Sequence, residues 1–223
     1  MRKLALKSLI EVGNRLDRLG TSRDVLLEVI NAVVAARAEC TENDPAGSRG
    51  WRGWQMGTRR NRELHGQIDG WEKDDTDQIA SVVNRGLGIK IIVCNTDEGT
   101  CVEGLTPQNR SKKGAATERV VDRNQYTFFD KLDVPHPDSV VVPMRKVETS
   151  EVLVSYYLCV FHEGDDIRAE LSCAVETAGG YFEDFVERIF IVGGEAGTPD
   201  DVRRKKSSDD DGSDFDIPVK RKK

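Results

Sequence analysis

The stretch "RGWRGWQMGTRRNR", residues 49–62, places two tryptophans among five arginines and three glycines. Proteins that hold single-stranded nucleic acid stack aromatic side chains on the bases and neutralise phosphates with arginine. The composition therefore predicts an aromatic and basic loop that holds a strand. Its candidate residues are Arg49, Trp51, Arg52, Trp54, Arg59, Arg60 and Arg62. The alternative is that the indoles anchor this loop to the core, because large aromatic side chains are often buried.

A second basic stretch, "PQNRSKKGAATER", adds Arg110, Lys112 and Lys113 near the expected start of a helix, where backbone amides attract anions. We expect the two stretches to form one surface for single-stranded or double-stranded nucleic acid. Neither has the glycine-lysine-serine order of a phosphate-binding P-loop, so no nucleotide cofactor is predicted.

Clustered carboxylates suggest a different function, a magnesium-dependent nuclease or another phosphoryl-transfer enzyme. In that case Asp97, Glu98, Asp165 and Asp166 would have to converge on one cation. The same residues are also explained as turns in "NTDEGT" and "HEGDD". The three histidines lack the spacing of metal ligands. The leading hypothesis is therefore a non-catalytic accessory protein without a metal or cofactor.

Charge is unevenly distributed. The chain has a net charge of −6, and residues 198–223 carry eight basic and seven acidic side chains, which leaves −7 for residues 1–197. This distribution excludes a uniformly basic protein that coats nucleic acid. It also leaves open a third function, a protein-binding inhibitor or adaptor that contacts no nucleic acid.

The sequence from 198 to 223 has too few apolar residues to offset the entropy of ordering it, which predicts a disordered charged tail. Phe215 and Ile217 lie in an acidic context and are predicted to dock a protein partner. "DFDIP" resembles the acidic docking end of bacterial single-stranded DNA-binding proteins over five residues, although this chain continues into "VKRKK". The clusters "RRKK" and "KRKK" resemble a bipartite nuclear-import signal. We therefore expect a cytoplasmic protein, or a nuclear one in a eukaryotic host.

Helical periodicity predicts an N-terminal helical hairpin over residues 1–42. Its first stripe is Leu6, Leu9, Ile10, Leu16 and Leu19, and its second is Val25, Val29, Ile30, Val33 and Ala36. Thr21 is the expected cap between the two helices. No run approaches the roughly 18 apolar residues of a membrane span, so no membrane contact is expected. The five cysteines lie mostly in strand-like runs and are expected to be reduced and buried.

Residues 43–197 are predicted to form an α+β body. Its glycines argue against a regular element over the tryptophan-rich stretch, and a short helix is expected around Asp77–Asn84. A mostly antiparallel sheet is expected from about Gly88 to Val192. Its predicted hairpins are "GIKIIVCN" with "TCVEGL" and "EVLVSYYLCVF" with "IRAELSCAV", and "TERVVDRNQYTFFDKL" is a predicted helix. The fold class is α+β, with the helical hairpin packed on the sheet.

Overall fold

A computed structural model describes residues 4–131 and 153–193 of the chain. Its strands are β1 (Leu4–Leu6), β2 (Trp71–Asp74), β3 (Ser81–Asn84), β4 (Ile89–Asn95), β5 (Val154–Glu163), β6 (Asp166–Ala178) and β7 (Tyr181–Val192). Its helices are α1 (Leu9–Arg18), α2 (Arg23–Ala38), α3 (Ser48–His65) and α4 (Ala115–Lys131). None of the described helices is both long and apolar enough to cross a membrane.

The described strands form one sheet in the order β1-β7-β6-β5-β4-β3-β2. The β1–β7 and β4–β5 pairs are parallel, and the other four pairs are antiparallel. The predicted α+β class and the mostly antiparallel sheet are therefore confirmed. The sheet is wider than predicted, because β1, β2 and β3 all precede Gly88.

Each face of the sheet packs against helices, because alternate side chains of a strand point to opposite faces. The first three helices cover one face, where the core includes Val12, Leu16, Leu26, Ile30, Val33, Ile91, Tyr156, Leu158, Leu171 and Ile189. The fourth helix covers the other face, where the core includes Ile92, Cys94, Val120, Val121, Tyr157, Phe182 and Phe185. The result is a three-layer arrangement.

The N-terminal helical hairpin is present, but its first helix is shorter than predicted. Leu6 belongs to β1, and Leu9 and Ile10 are 70% and 78% exposed. Leu16 and Leu19 of the predicted stripe are buried, and Val12 completes the buried face of α1. Helix α2 is capped by Ser22, whose hydroxyl accepts a hydrogen bond from the amide of Val25, and not by Thr21 as predicted.

The tryptophan-rich stretch is helical, which corrects the prediction of an irregular loop. Its glycines face neighbouring elements. A Cβ atom on Gly57 would lie 2.4 Å from Cγ2 of Val33, and one on Gly53 would lie 2.8 Å from Nε of Arg37. The missing side chains let α3 approach α2 at close range, and the burial gained there outweighs the low helix propensity of glycine.

Two further predictions were wrong. The short helix expected around Asp77–Asn84 is a single 3₁₀ turn at Thr76–Gln78 followed by β3. The stretch "TCVEGL" does not return as a strand. It forms turns whose carbonyls accept hydrogen bonds from Arg188, at 3.1 Å for Val102 and 2.6 Å for Leu105. The side-chain partner thus replaces the strand partner that backbone carbonyls would otherwise need.

The hairpin formed by β5 and β6, the helix α4 and the five buried free cysteines agree with prediction. The charged tail, residues 198–223, with its docking candidates Phe215 and Ile217, lies outside the described residues.

Candidate nucleic-acid interface

A groove of about 550 Å³ lies where the N-terminus of α3, the end of β4 and the loop after β4 meet. We call it the basic groove. It is lined by Gly47, Arg49, Gly50, Trp51, Trp54, Asn95, Arg110, Ser111 and Lys113. The fold thus brings together five predicted site residues from two separate stretches of the sequence, residues 49–62 and 107–119.

Both indoles of the basic groove are accessible. Trp51 is 58% exposed and Trp54 is 36% exposed. Trp71 is different: it is buried, and its Nε1 donates a 2.8 Å hydrogen bond to the carbonyl of Gly20. The core-anchor alternative therefore describes Trp71, and it does not fit Trp51 or Trp54.

The N-terminus of α3 is fixed at the groove by Asn95, the last residue of β4. Its Nδ2 donates a 2.7 Å hydrogen bond to the carbonyl of Gly50, and its buried Oδ1 has no partner within the described ranges. The helix begins after Gly47, whose φ of 83° suits glycine, and no described side chain caps it. The amide of Ser48 donates to the carbonyl of Pro45 at 3.1 Å, whereas those of Arg49 and Gly50 are available to an external acceptor.

The opposite wall is the loop after β4, which Asn109 holds against the β6–β7 turn. Its Nδ2 donates to the carbonyls of Ser111 and Gly180, at 2.7 and 2.9 Å, and its Oδ1 accepts from the amide of Phe182 at 2.9 Å. The amide of Lys113 donates to the carbonyl of Gly180 at 2.9 Å. The basic residues of this wall therefore project from a fixed backbone.

A buried ion pair between two strands of the sheet, β6 and β7, also supports this loop. Nη2 of Arg188 lies 2.6 Å from Oε2 of Glu170, which is fully buried and also accepts from the amide of Cys101 at 2.7 Å. Burial alone would lower the pKa of Arg188, but the hydrogen bond and charge of Glu170 raise it above the ordinary guanidinium value. The pair is structural, because its hydrogen-bonding groups are used within the fold.

Five of the predicted site residues do not line the groove. Lys112 is exposed beside the β6–β7 turn. The other four pair with carboxylates: Arg52 with Glu39 at 3.0 Å, Arg59 with Glu63 at 2.8 Å, Arg60 with Glu28 at 3.0 Å and Arg62 with Asp75 at 2.5 Å. The predicted set of ten basic and aromatic residues is thus divided between the groove and the surrounding surface.

A second cavity, of about 370 Å³, adjoins the basic groove and shares Arg49, Gly50 and Arg110 with it. We call it the Arg37 pocket. It is lined by Arg37, Ala38, Arg49, Gly50, Arg110, His162, Glu163 and Gly164. These residues stand at the carboxyl ends of the parallel strands β4 and β5, an edge where open α/β sheets commonly bind ligands.

Electrostatics in the Arg37 pocket are dominated by positive charge. Burial and the charge of Arg110 lower the pKa of Arg37 to about 10, which leaves it charged at neutral pH. Burial and the charges of Arg37 and Arg49 also lower the pKa of His162. Burial is the larger cause of both pKa shifts, and the neighbouring cations lower both pKa values further.

Three residues of these cavities, Arg37, Asn95 and His162, were not predicted from the sequence as site residues. Arg37 had a usable signal, because it continues the buried stripe Leu26, Ile30 and Val33 of α2 at helical spacing. A cation on the apolar face of a helix needs a partner or a ligand. Asn95 and His162 carried no comparable pattern.

Two of the four carboxylates of the nuclease alternative, Asp97 and Asp166, serve local structure. Oδ1 of Asp97 accepts from the amides of Gly99 and Gln108 at 3.1 and 2.9 Å. Asp166 accepts two hydrogen bonds from Arg168 at 3.0 and 2.9 Å. Within residues 4–131 and 153–193, no three His, Cys, Asp or Glu side chains are grouped to hold a metal ion. The convergence that this alternative requires is not present there.

No protein-family model, curated protein or solved structure matches this chain. The function is therefore inferred from the geometry of the basic groove and the Arg37 pocket.

Proposed function

We propose that this protein binds a single strand of nucleic acid in the basic groove, as a non-catalytic accessory protein. The observation that carries the proposal is that two exposed indoles, Trp51 and Trp54, line the same groove as Arg49, Arg110 and Lys113. Aromatic faces that stack on bases, beside cations that contact phosphates, are the usual means of binding single strands without sequence preference.

A single strand fits the groove better than a duplex does. Bases of a duplex are already stacked on one another, so exposed indoles gain contact only with bases that are unpaired. The unpartnered Oδ1 of Asn95 adds one acceptor for an amino group on a base edge.

The cations of the groove are suited to phosphate because they have few competing carboxylates. Arg49 makes a 3.5 Å contact with the carbonyl of Cys40, and Arg110 lies 3.7 Å from Glu163. Arg52, Arg59, Arg60 and Arg62 are closer to their carboxylates and contribute to the surface or to the fold. The overall negative charge of the protein is thus compatible with local binding of a polyanion.

The test is binding of a fluorescent oligothymidylate of about ten nucleotides at low salt. Replacing Trp51 or Trp54 with alanine is expected to weaken affinity by about 1–3 kcal/mol for each indole lost. The free energy of unfolding is expected to change by less than about 0.5 kcal/mol, because both side chains are exposed.

The matched control is M56A. Met56 lies on the same helix, is 36% exposed like Trp54, and does not line the groove. Its loss is expected to leave affinity unchanged. A wild-type protein with no salt-sensitive affinity for single-stranded or double-stranded DNA or RNA would contradict the proposal and favour the adaptor alternative. Strand cleavage that requires Mg²⁺ would favour the nuclease alternative.

A further inference from the structure

Arg37 is a buried cation without a carboxylate partner in the described part of the chain. It is 6% exposed, its Nη1 donates a long 3.4 Å hydrogen bond to the carbonyl of His162, and its Nε has no acceptor there. The buried Arg168 and the largely buried Arg188 behave differently: Arg168 pairs with Asp166 at 2.9 Å, and Arg188 pairs with Glu170 at 2.6 Å. A buried charge of this kind is costly to the fold.

The Arg37 pocket supplies several donors for one anion. Three guanidinium groups line it, from Arg37, Arg49 and Arg110, against the single carboxylate of Glu163. Gly50 lies in its wall and brings the uncapped first turn of α3 into the pocket. Guanidinium groups and the amides of a helix N-terminus both bind phosphate oxygens through charge-assisted hydrogen bonds.

We infer that the Arg37 pocket binds a phosphate monoester, carried at the end of a strand that lies in the basic groove. A monoester has a charge of about −1.5 to −2 at neutral pH, which matches the excess of two cations in the pocket better than the single charge of a diester. The claim that a strand carries the phosphate rests on the proposed function. The claim that the pocket binds a phosphate rests on the buried and unpaired Arg37.

The experiment compares oligothymidylates that differ only in the terminal phosphate. Unphosphorylated, 5′-phosphorylated and 3′-phosphorylated strands are titrated into the full-length protein, and inorganic phosphate and thymidine monophosphate are used as competitors. One phosphorylated strand is expected to bind about tenfold more tightly than the unphosphorylated strand, as expected for one or two charge-assisted hydrogen bonds. Inorganic phosphate is expected to abolish this preference, so that the phosphorylated strand binds with the affinity of the unphosphorylated strand.

The main variant is R37M, which keeps an unbranched, flexible side chain in the buried position and removes the charge. It is expected to abolish the preference for a phosphorylated end. The melting temperature is expected to stay the same or rise, because an unpaired buried charge has been removed. If Arg37 served only the stability of the fold, R37M would lower the melting temperature. R110A, at an exposed position, is the second variant and is expected to reduce the same preference. R59A, on the surface of α3, is the control.

The outcomes separate the two proposals. If all strands bind equally and inorganic phosphate does not compete, the phosphate site is wrong and strand binding stands. If inorganic phosphate binds the wild type and not R37M, while no strand binds, the phosphate site stands and the proposed function is wrong. A preference that persists in both R37M and R110A would also overturn the phosphate site.

Discussion

The first half of α3 presents Trp51 and Trp54 to the basic groove, whereas in the second half Arg60 and Arg62 pair with residues of neighbouring elements. Both halves contain arginine and glycine, so these residue types do not show which arginines face the groove. The surrounding residues show this instead: Glu28 lies beside Arg60, and Asp75 lies beside Arg62. An arginine is thus assigned to binding or to stability by its surroundings and not by its sequence neighbours.

The largest expected effect concerns stability at the buried end of α3. His65 is fully buried, and burial lowers its pKa to about 4. Its Nδ1 donates to the carbonyl of Asn61 and its Nε2 accepts from Thr21, each at 3.0 Å, which fixes the neutral ring. The unfolded chain takes up a proton at about pH 6.5, so stability is expected to fall by about 3 kcal/mol as the pH drops from 6.5 to 4.

Denaturant unfolding at several pH values measures this fall, and H65Q is the control that removes the titrating ring. Asp74 does not titrate in the same range. Burial alone would raise its pKa, but hydrogen bonds from Lys90 and Thr76 lower it to about 2, so its contribution to the free energy of unfolding is lost only below about pH 4. An equal fall in H65Q between pH 6.5 and 4 would show that another group is responsible.

The next effect compares two arginines within the second half of the helix. Nη2 of Arg62 donates to the carbonyl of Asp74 at 2.9 Å, and its Nε donates to the carbonyl of Ser81 at 3.2 Å, which joins α3 to β2 and β3. R62A is expected to lower the free energy of unfolding by about 2 kcal/mol. R59A removes an exposed pair with Glu63 and is expected to cost less than about 0.5 kcal/mol. Equal costs, measured by denaturant unfolding, would contradict this distinction.

The smallest effect is on the salt dependence of binding. R49A is expected to reduce the slope of log affinity against log salt by about one, because one phosphate contact is lost from the groove. R59A is expected to leave the slope unchanged. The slopes are obtained from affinities measured at a series of salt concentrations. Equal slopes in R49A and R59A would mean that the two halves of α3 do not differ in strand contact.

Periodicity made much of the fold predictable. The stripe that includes Val29, Ile30 and Val33 identified α2, and the continuous apolar arms of β5 and β6 identified the hairpin. Short or glycine-rich elements were not visible in this way. Strand β3 has only four residues, and α3 depends on contacts of Gly53 and Gly57 with side chains of α2 that are distant in sequence. Tertiary packing decided both cases.

The candidate site was predictable only where side-chain type carried the signal. Trp51, Trp54 and Arg110 stood out by composition, and the fold places them in one groove. Asn95 and His162 belong to the site because β4 and β5 are parallel and end at the same edge, and this pairing joins segments about 60 residues apart. No local pattern in the sequence specifies such a pairing.

The close packing of α3 against α2 affects the rate and the entropy of association. A Cβ atom on Gly57 would lie 2.4 Å from Cγ2 of Val33, so α3 packs directly on α2, and Asn109 holds the opposite wall to the β6–β7 turn. Both walls of the groove are therefore already in place before a ligand arrives. We therefore expect a ligand to lose more conformational freedom on binding than the protein does, and we expect association without a rearrangement of the protein.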